Sequence, residues 1–281
     1  MKLSDVSKTA LATLRSHVIE SQNKNPIIND PMASYCLEKL QSFVSEEEKT
    51  LLFDRKLPSS LTRHIALRAR KYDNIVNDFI VNNPSCTVIN LGCGFDTRYW
   101  RINNEKCEYI ELDLPEVITI KKEILKEHLS YELFGCSVLD TSWIDKVVTK
   151  TNRNIILIAE GLFMYLQKYD VINLFKKIAN SFYHSQIVLE VVIEKYTSGL
   201  WKKIVEMKIK RILGLDAGSS YNFGVRQSSE IESYGNGLKI IDEWSYIDDD
   251  DIRPKVLKYF RQFKSFTRTQ WTITASLNAN A

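Results

Sequence analysis

Apolar residues recur at helical spacing through residues 1 to about 83, most plainly in Ile65, Arg68-Ala69, Tyr72, Ile75-Val76 and Phe79-Ile80, until Asn82-Asn83-Pro84 stops the run. Upstream, Asn29-Asp30-Pro31 marks a turn, and Ser45-Glu46-Glu47-Glu48 has the form of an N-cap with an acidic first turn. After Pro84 short β-rich runs alternate with helical stretches. Strands are expected at Thr87 to Leu91, Glu108 to Leu112, within Tyr131 to Val138, at Asn154 to Ala159 and at Gln186 to Ile193. Pro115-Glu116 opens one intervening helix, and Lys168 to Phe182 forms another, with Val171, Leu174-Phe175 and Ile178 on one side. Such β-α-β-α order predicts an α/β fold with a parallel sheet and right-handed crossovers. A helical insertion around Trp201 to Leu213 interrupts the pattern. Two last strands, Leu238 to Tyr246 and Thr267 to Leu277, flank a charged helical connection beginning near the aspartates 248 to 251, read as a solvated helix start.

Composition narrows the function classes more than the fold. In 281 residues, 44% hydrophobic with only ten glycines and six prolines, the chain has ample material for an ordered core. Its 38 basic and 35 acidic residues leave +3, too little for a molecule-wide nucleic-acid or lipid footprint, so neither partner is expected. Met1-Lys2-Leu3-Ser4-Asp5 lacks a signal peptide's apolar stretch, and the longest apolar runs are cut by Glu160 and Glu190, so a soluble cytoplasmic protein is expected. Five cysteines at scattered spacings read as small buried hydrophobes. The simplest organisation is one domain: a helical cap over 1–83, a ligand-binding core over 84–193, a lid over 194–225 and sheet-completing strands over 226–281.

In a parallel sheet, ligands bind beyond the carboxyl ends of the strands. The first strand ends in Asn90-Leu91-Gly92-Cys93-Gly94-Phe95-Asp96-Thr97-Arg98, where glycines let the backbone pass close to a ligand. Thr97 stands where a dinucleotide motif requires its third glycine, which disfavours a pyrophosphate cofactor and leaves nucleoside ligands such as S-adenosylmethionine. Cys93 in this turn reads as a lining residue rather than a nucleophile. Asp113, at the end of the second strand, is placed to accept both ribose hydroxyls; Glu111 shares its face, and capping of the helix at Pro115 is the structural alternative. Arg68 lies on the buried stripe of its helix and requires an anion. That anion is either an internal acid, Asp96 or Glu160, or the carboxylate of an amino-acid-bearing cofactor. Glu160, directly after the fourth strand, is placed for the cofactor's ammonium.

Three runs in order, Asn90 to Arg98, Glu111-Leu112-Asp113-Leu114-Pro115 and Ala159-Glu160-Gly161-Leu162-Phe163-Met164-Tyr165-Leu166, preceded by Arg68, Thr9-Ala10 and Asp30-Pro31, resemble the leucine carboxyl methyltransferase family, in its polyketide O-methyltransferase branch. The resemblance implies a class I S-adenosylmethionine-dependent methyltransferase fold of Rossmann-like type, with seven strands, the last antiparallel. It also implies S-adenosylmethionine as cofactor and S-adenosylhomocysteine as product. Carried over by position, it puts the cofactor-carboxylate arginine at Arg68, the glycine loop at Gly92, Cys93 and Gly94, the ribose site at Asp113 and Leu114, and the post-strand acid at Glu160. The family's acid after the third strand is here Ser137, so adenine recognition passes to Ser137, Val138 or Asp140. The family's N-terminal basic residue falls on Arg15.

No nucleophile elbow or metal-ligand motif is present. Methyl transfer needs an acceptor oxygen held in line with the methyl group. A carboxylate is already ionised at pH 7, whereas a phenol gains from a base. His17, His64, His128 and His184 sit on predicted helices or loops with no acid partner at an obvious strand end. The reading is therefore an O-methyltransferase acting on a carboxylate, or on a hydroxyl, of a small polyketide-like metabolite, with Tyr165 and Arg226 orienting the acceptor. A protein C-terminal carboxylate is one alternative substrate; a catalytically inactive, RNA-touching module is another. The segment from Lys195 to Arg211, rich in lysine beside Trp201, Ile204-Val205 and Ile212, reads either as a lid over an anionic acceptor or as a solvated surface helix.

Overall fold

The computed structural model describes residues 5–49, 53–150, 154–213 and 220–277. Four helices come first: α1 (Asp5–Ser21), α2 (Pro31–Leu40), α3 (Glu46–Lys49) and α4 (Ser59–Asn82). Asp30 caps α2 by accepting the Ala33 N–H at 3.0 Å, and Pro31 fits the first helical position because no N–H is needed there. On α4 the stripe Tyr72, Val76, Phe79 and Ile80 packs against Val88, Ile156 and Val188 of the sheet.

The strands are β1 (Cys86–Leu91), β2 (Cys107–Asp113), β3 (Glu132–Gly135), β4 (Ile155–Ala159), β5 (Ser185–Val192), β6 (Leu238–Trp244) and β7 (Gln270–Leu277). Between them run α5 (Pro115–Ile124), α6 (Ser142–Lys150), α7 (Lys168–Ser181), α8 (Gly199–Leu213), α9 (Ser229–Glu232) and α10 (Lys264–Thr267). The sheet order is β3-β2-β1-β4-β5-β7-β6, and only β7 runs antiparallel to its neighbours. β1 and β4 are buried at every position, as strands covered on both faces must be. Strand order reverses at β1, whose neighbours are β2 and β4, so a crevice opens at their carboxyl ends.

The expected helical connection after β6 is not one helix. Tyr246–Asp248 and Lys255–Phe260 form separate 3₁₀ segments on either side of Pro254. The aspartates are not a solvated helix start either: Asp248 closes a capping box on Ser245, while Asp249 and Asp251 bind Arg70 at 2.8 Å each. β7 begins at Gln270 rather than Thr267 because Lys264–Thr267 completes a helical turn. Among the described residues no helix is long and apolar enough to cross a membrane.

Candidate active site

The loop after β1 turns through Gly92 (φ +63°) and Gly94 (φ +50°), left-handed conformations that disfavour a side chain. It is also tightly held, since a Cβ on Gly94 would lie 2.7 Å from that of Ala10 on α1. The Gly94 N–H donates to Asp113 Oδ2 at 2.6 Å and the Leu114 N–H to Oδ1 at 2.7 Å. Burial pushes the Asp113 carboxyl up, and these two N–H donors act against that rise. Each oxygen keeps a lone pair for a ligand. Asp113 makes no cap for α5, whose N-cap Leu114 has no side-chain bond. Glu111 is buried elsewhere, on Lys121 Nζ at 2.6 Å and the Tyr131 hydroxyl at 3.1 Å, which leaves Asp113 as the β2 acid at the crevice.

Beneath the loop lies a buried charge network. Arg68 Nε donates to Glu160 at 2.7 Å and its Nη1 to both oxygens of Glu190, at 3.0 and 2.8 Å. Of the two internal acids expected for Arg68, Glu160 is its partner and Asp96 is not. Asp96 instead holds Arg98 at 2.7 Å, and Arg98 also reaches Asp73 at 2.8 Å and Glu160 at 2.5 Å. Arg101 joins Asp73 to Asp30, at 2.7 and 2.6 Å. Burial alone would raise Asp96 and Glu160, but the flanking guanidiniums outweigh it and hold both below the ordinary carboxylate range. Three guanidiniums thus serve five carboxylates, Asp30, Asp73, Asp96, Glu160 and Glu190. Of these groups Asp96, Glu160, Glu190 and Arg68 reach the wall of the cavity above, where Asp113 adds a further acid, and that excess of acid favours a cationic ligand.

Above this network is a cavity of about 490 Å³. Arg68, Gly92, Cys93, Gly94, Asp113, Leu114, Glu160 and Tyr165 all line it, gathered from α4 and from the ends of three strands. Tyr165 sits against Tyr221 at 5.7 Å, and its pKa is pushed up to about 12 by burial and by Glu190, so at neutral pH it is a hydrogen-bond donor and not a base. One face of α8 closes the far side through Trp201, Ile204, Val205, Lys208 and Ile209.

Several expected residues are elsewhere. Arg226 is held by Glu194 with its side chain 80% exposed, outside the cavity, because the chain after Val225 turns away from β5 towards α9. Ser137, Val138 and Asp140 do not line the cavity, although the Cys136 N–H donates to the Asp113 carbonyl at 2.9 Å and keeps their loop beside β2. Asp140 instead accepts the Ser142 N–H at 3.2 Å. Arg15 donates to the Arg55 carbonyl at 2.7 Å, away from the cavity. The wall also holds His17, His64, Glu190 and Lys208, which the sequence reading did not place there. Only Glu190 left a local signal, an acid inside an apolar strand. His17 bonds Asp30 through Nδ1 at 3.0 Å, and its buried Nε2 has no partner among the described residues.

The family model described as leucine carboxyl methyltransferase matches residues 10–179. The chain belongs to the leucine carboxyl methyltransferase family. It is 26% identical over 258 residues to the tetracenomycin polyketide synthesis O-methyltransferase TcmP of Streptomyces glaucescens, covering 90% of this chain and 89% of that one. It is 27% identical over 244 residues to the S-adenosyl-L-methionine-dependent methyltransferase dpfgK of Gibberella zeae, covering 84% and 81%. A crystal structure described as a methyltransferase from Thermobifida fusca superposes with a TM-score of 0.55 at 12% identity, over 95% of this chain and 94% of that one, a likeness of fold.

The enzyme of this family described here is an S-adenosylmethionine-dependent O-methyltransferase with the class I fold. The residues present fit that cofactor. The acid excess matches its net positive charge, the free lone pairs of Asp113 suit a diol, and Arg68 Nη2, which bonds no described residue, suits a carboxylate. When bound, the cofactor supplies a methyl group activated by a sulfonium. The protein's part is to orient the acceptor oxygen and exclude water.

Proposed function

We propose that this methyltransferase esterifies a carboxylate of a small, largely apolar, ring-bearing metabolite. The observation that carries the reading is the state of the titratable groups at the acceptor end. His64 lines that end, and burial together with Arg68 and Lys208 lowers its pKa to about 3. An imidazole so depressed is too weak a base for a phenol, whose ordinary pKa is about 10. Tyr165 stays protonated. A carboxylate arrives already ionised and needs only to be positioned, with the Tyr165 hydroxyl as one donor. The walls around it are aromatic and aliphatic, from Met164, Tyr196, Tyr221 and Tyr246 to the α8 face, which suits an apolar ring system such as the polyketide that the TcmP name carries. Closure by α8 favours a metabolite over a protein C-terminus. In this reading Arg68 and Glu160 hold the cofactor's amino-acid end and Asp113 its ribose.

One observation favours hydroxyl methylation instead: the His17–Asp30 pair in the cavity wall, whose buried Nε2 has no hydrogen-bond partner among the described residues. Asp30 also serves Arg101 and Thr97, each at 2.6 Å, which weakens its hold on the imidazole. The test is a screen of matched aryl carboxylic acids and phenols with S-adenosylmethionine, read by mass spectrometry and then by mild alkali. Products that release methanol in alkali are esters and support the proposal. Alkali-stable methyl ethers, lost in His17→Asn, would replace it with the hydroxyl reading.

A further inference from the structure

The two ends of the cavity are charged in opposite senses. Acid is in excess below the glycine loop, but at the acceptor end the unmatched charge is positive. Lys208 lines the cavity from α8 and forms no hydrogen bond or ion pair with any described residue. His64 faces the same space from α4 with its ring stacked on Tyr246, centroids 4.2 Å apart and planes at 17°. Stacking covers one face of the imidazole and leaves its edge, and neither ring nitrogen has a hydrogen-bond partner among the described residues. Arg68 and Lys208 both act on this ring electrostatically. The acid nearest in effect is Glu160, and its two oxygens are taken by Arg68 and Arg98.

We propose that Lys208 and His64 form the point that reads the negative charge of the acceptor, so that the enzyme separates an anionic carboxylate substrate from its neutral methyl ester product. The inference rests on the carboxyl-methylating reading above and names the residues that select its substrate class. An ammonium and an N–H-bearing imidazole edge attract a carboxylate through charge-assisted hydrogen bonds, and the Lys208 side chain, although exposed along α8, meets no acid among the described residues. Methylation forms one C–O bond as the sulfonium's C–S bond breaks, and that bond's electron pair stays on sulfur. No proton is exchanged, and the ester carries no charge. The product therefore loses the attraction that held the substrate under α8, and release follows from the chemistry itself. Lys208 is borne on the lid, so the same contact draws α8 over the substrate.

The test uses the full chain saturated with S-adenosylhomocysteine and titrated calorimetrically with 2-naphthoate and with 2-naphthamide, a neutral molecule of the same ring and similar size. The acid is expected to bind at least about tenfold more tightly than the amide. Lys208→Ala and His64→Phe, the latter retaining a ring to stack on Tyr246, should each bring the two probes within about twofold, while Lys208→Arg keeps the preference. S-adenosylhomocysteine affinity should be the same in every variant, which a general loss of structure would not allow. Equal binding of acid and amide by the wild type, no binding of either by the cofactor-loaded protein, or an undiminished preference in Lys208→Ala would each overturn the proposal. Failure of the wild type to bind S-adenosylhomocysteine would instead bring down the cofactor site, and this inference with it.

Discussion

The proposed cofactor end and the proposed acceptor end of the cavity are built on different principles. The first is made of backbone turns at strand ends and a buried ion-pair network in which Arg98 is only 1% exposed, so each group is fixed by several others. The second is made of single side chains from α4, α8 and the segments around Tyr165, Tyr221 and Tyr246, packed by apolar contact and partly open, with Trp201 49% exposed. A chemically invariant ligand suits an over-determined site. A changeable acceptor suits a wall whose residues can vary without disturbing the sheet. The contrast has consequences: damage to the first end should cost folding and cofactor together, and damage to the second should cost acceptor recognition alone.

The largest effect is expected from Arg98→Met. Removing the cation strands Asp73, Asp96 and Glu160 in the interior, and urea unfolding should show a loss of about 3–5 kcal/mol. Asp113→Asn is next, with S-adenosylhomocysteine affinity falling about 10- to 100-fold as charge-assisted bonds are lost, while acceptor discrimination is kept. Retention of full affinity would remove Asp113 from the ribose site.

The pH dependence of stability separates the two ends again. Asp30, Asp96 and Glu160 are held below the ordinary range, so their stabilisation is complete above about pH 4–5 and is lost as pH falls through their folded values. His64 acts at higher pH. The unfolded chain takes up a proton near 6.5 that the folded chain refuses until about 3, so stability declines as pH falls below 6.5. Relative to wild type, His64→Phe should lose this slope between pH 6.5 and 4.5, a difference of about 2 kcal/mol in chemical denaturation. Parallel curves would show that the ring is not held neutral.

Smaller changes are expected at the rim. Trp201→Ala should raise the acceptor KM about fivefold with cofactor affinity unchanged, since part of an aromatic wall is lost. Arg226→Ala should change kcat and KM less than about twofold, because an exposed ion pair with Glu194 contributes little. A tenfold loss there would return Arg226 to the acceptor site.

The gathering of the proposed cofactor residues at one cavity was legible because its signals are local. Gly92 and Gly94 follow a strand, Asp113 ends the next, and Glu160 follows the fourth, so a linear motif carries each with its place in the fold. Arg68 was legible as a charge on a buried stripe, but Glu190, its second partner, comes from a strand 122 residues further on. Arg226 lies outside the cavity for a related reason: its type suited the chemistry, while its direction depended on turns that no short pattern encodes. His17 and His64 are the converse. Nothing in Arg15-Ser16-His17 or Arg63-His64-Ile65 announces a cavity wall, and only the packing of α1 and α4 over the crevice places them there.

The sequence by itself determined the alternation of strands and helices, the parallel sheet with its cofactor-binding turn, and the family, because periodicity and strand-end motifs are properties of adjacent residues. The tertiary structure alone decided which acids meet Arg68 and Arg98, and that Lys208 and one side of α8 line the same cavity as the strand ends. Those outcomes depend on charges and side chains far apart in the chain meeting where water is scarce, and the energy of such a meeting is set by distance and burial, which the order of residues does not record.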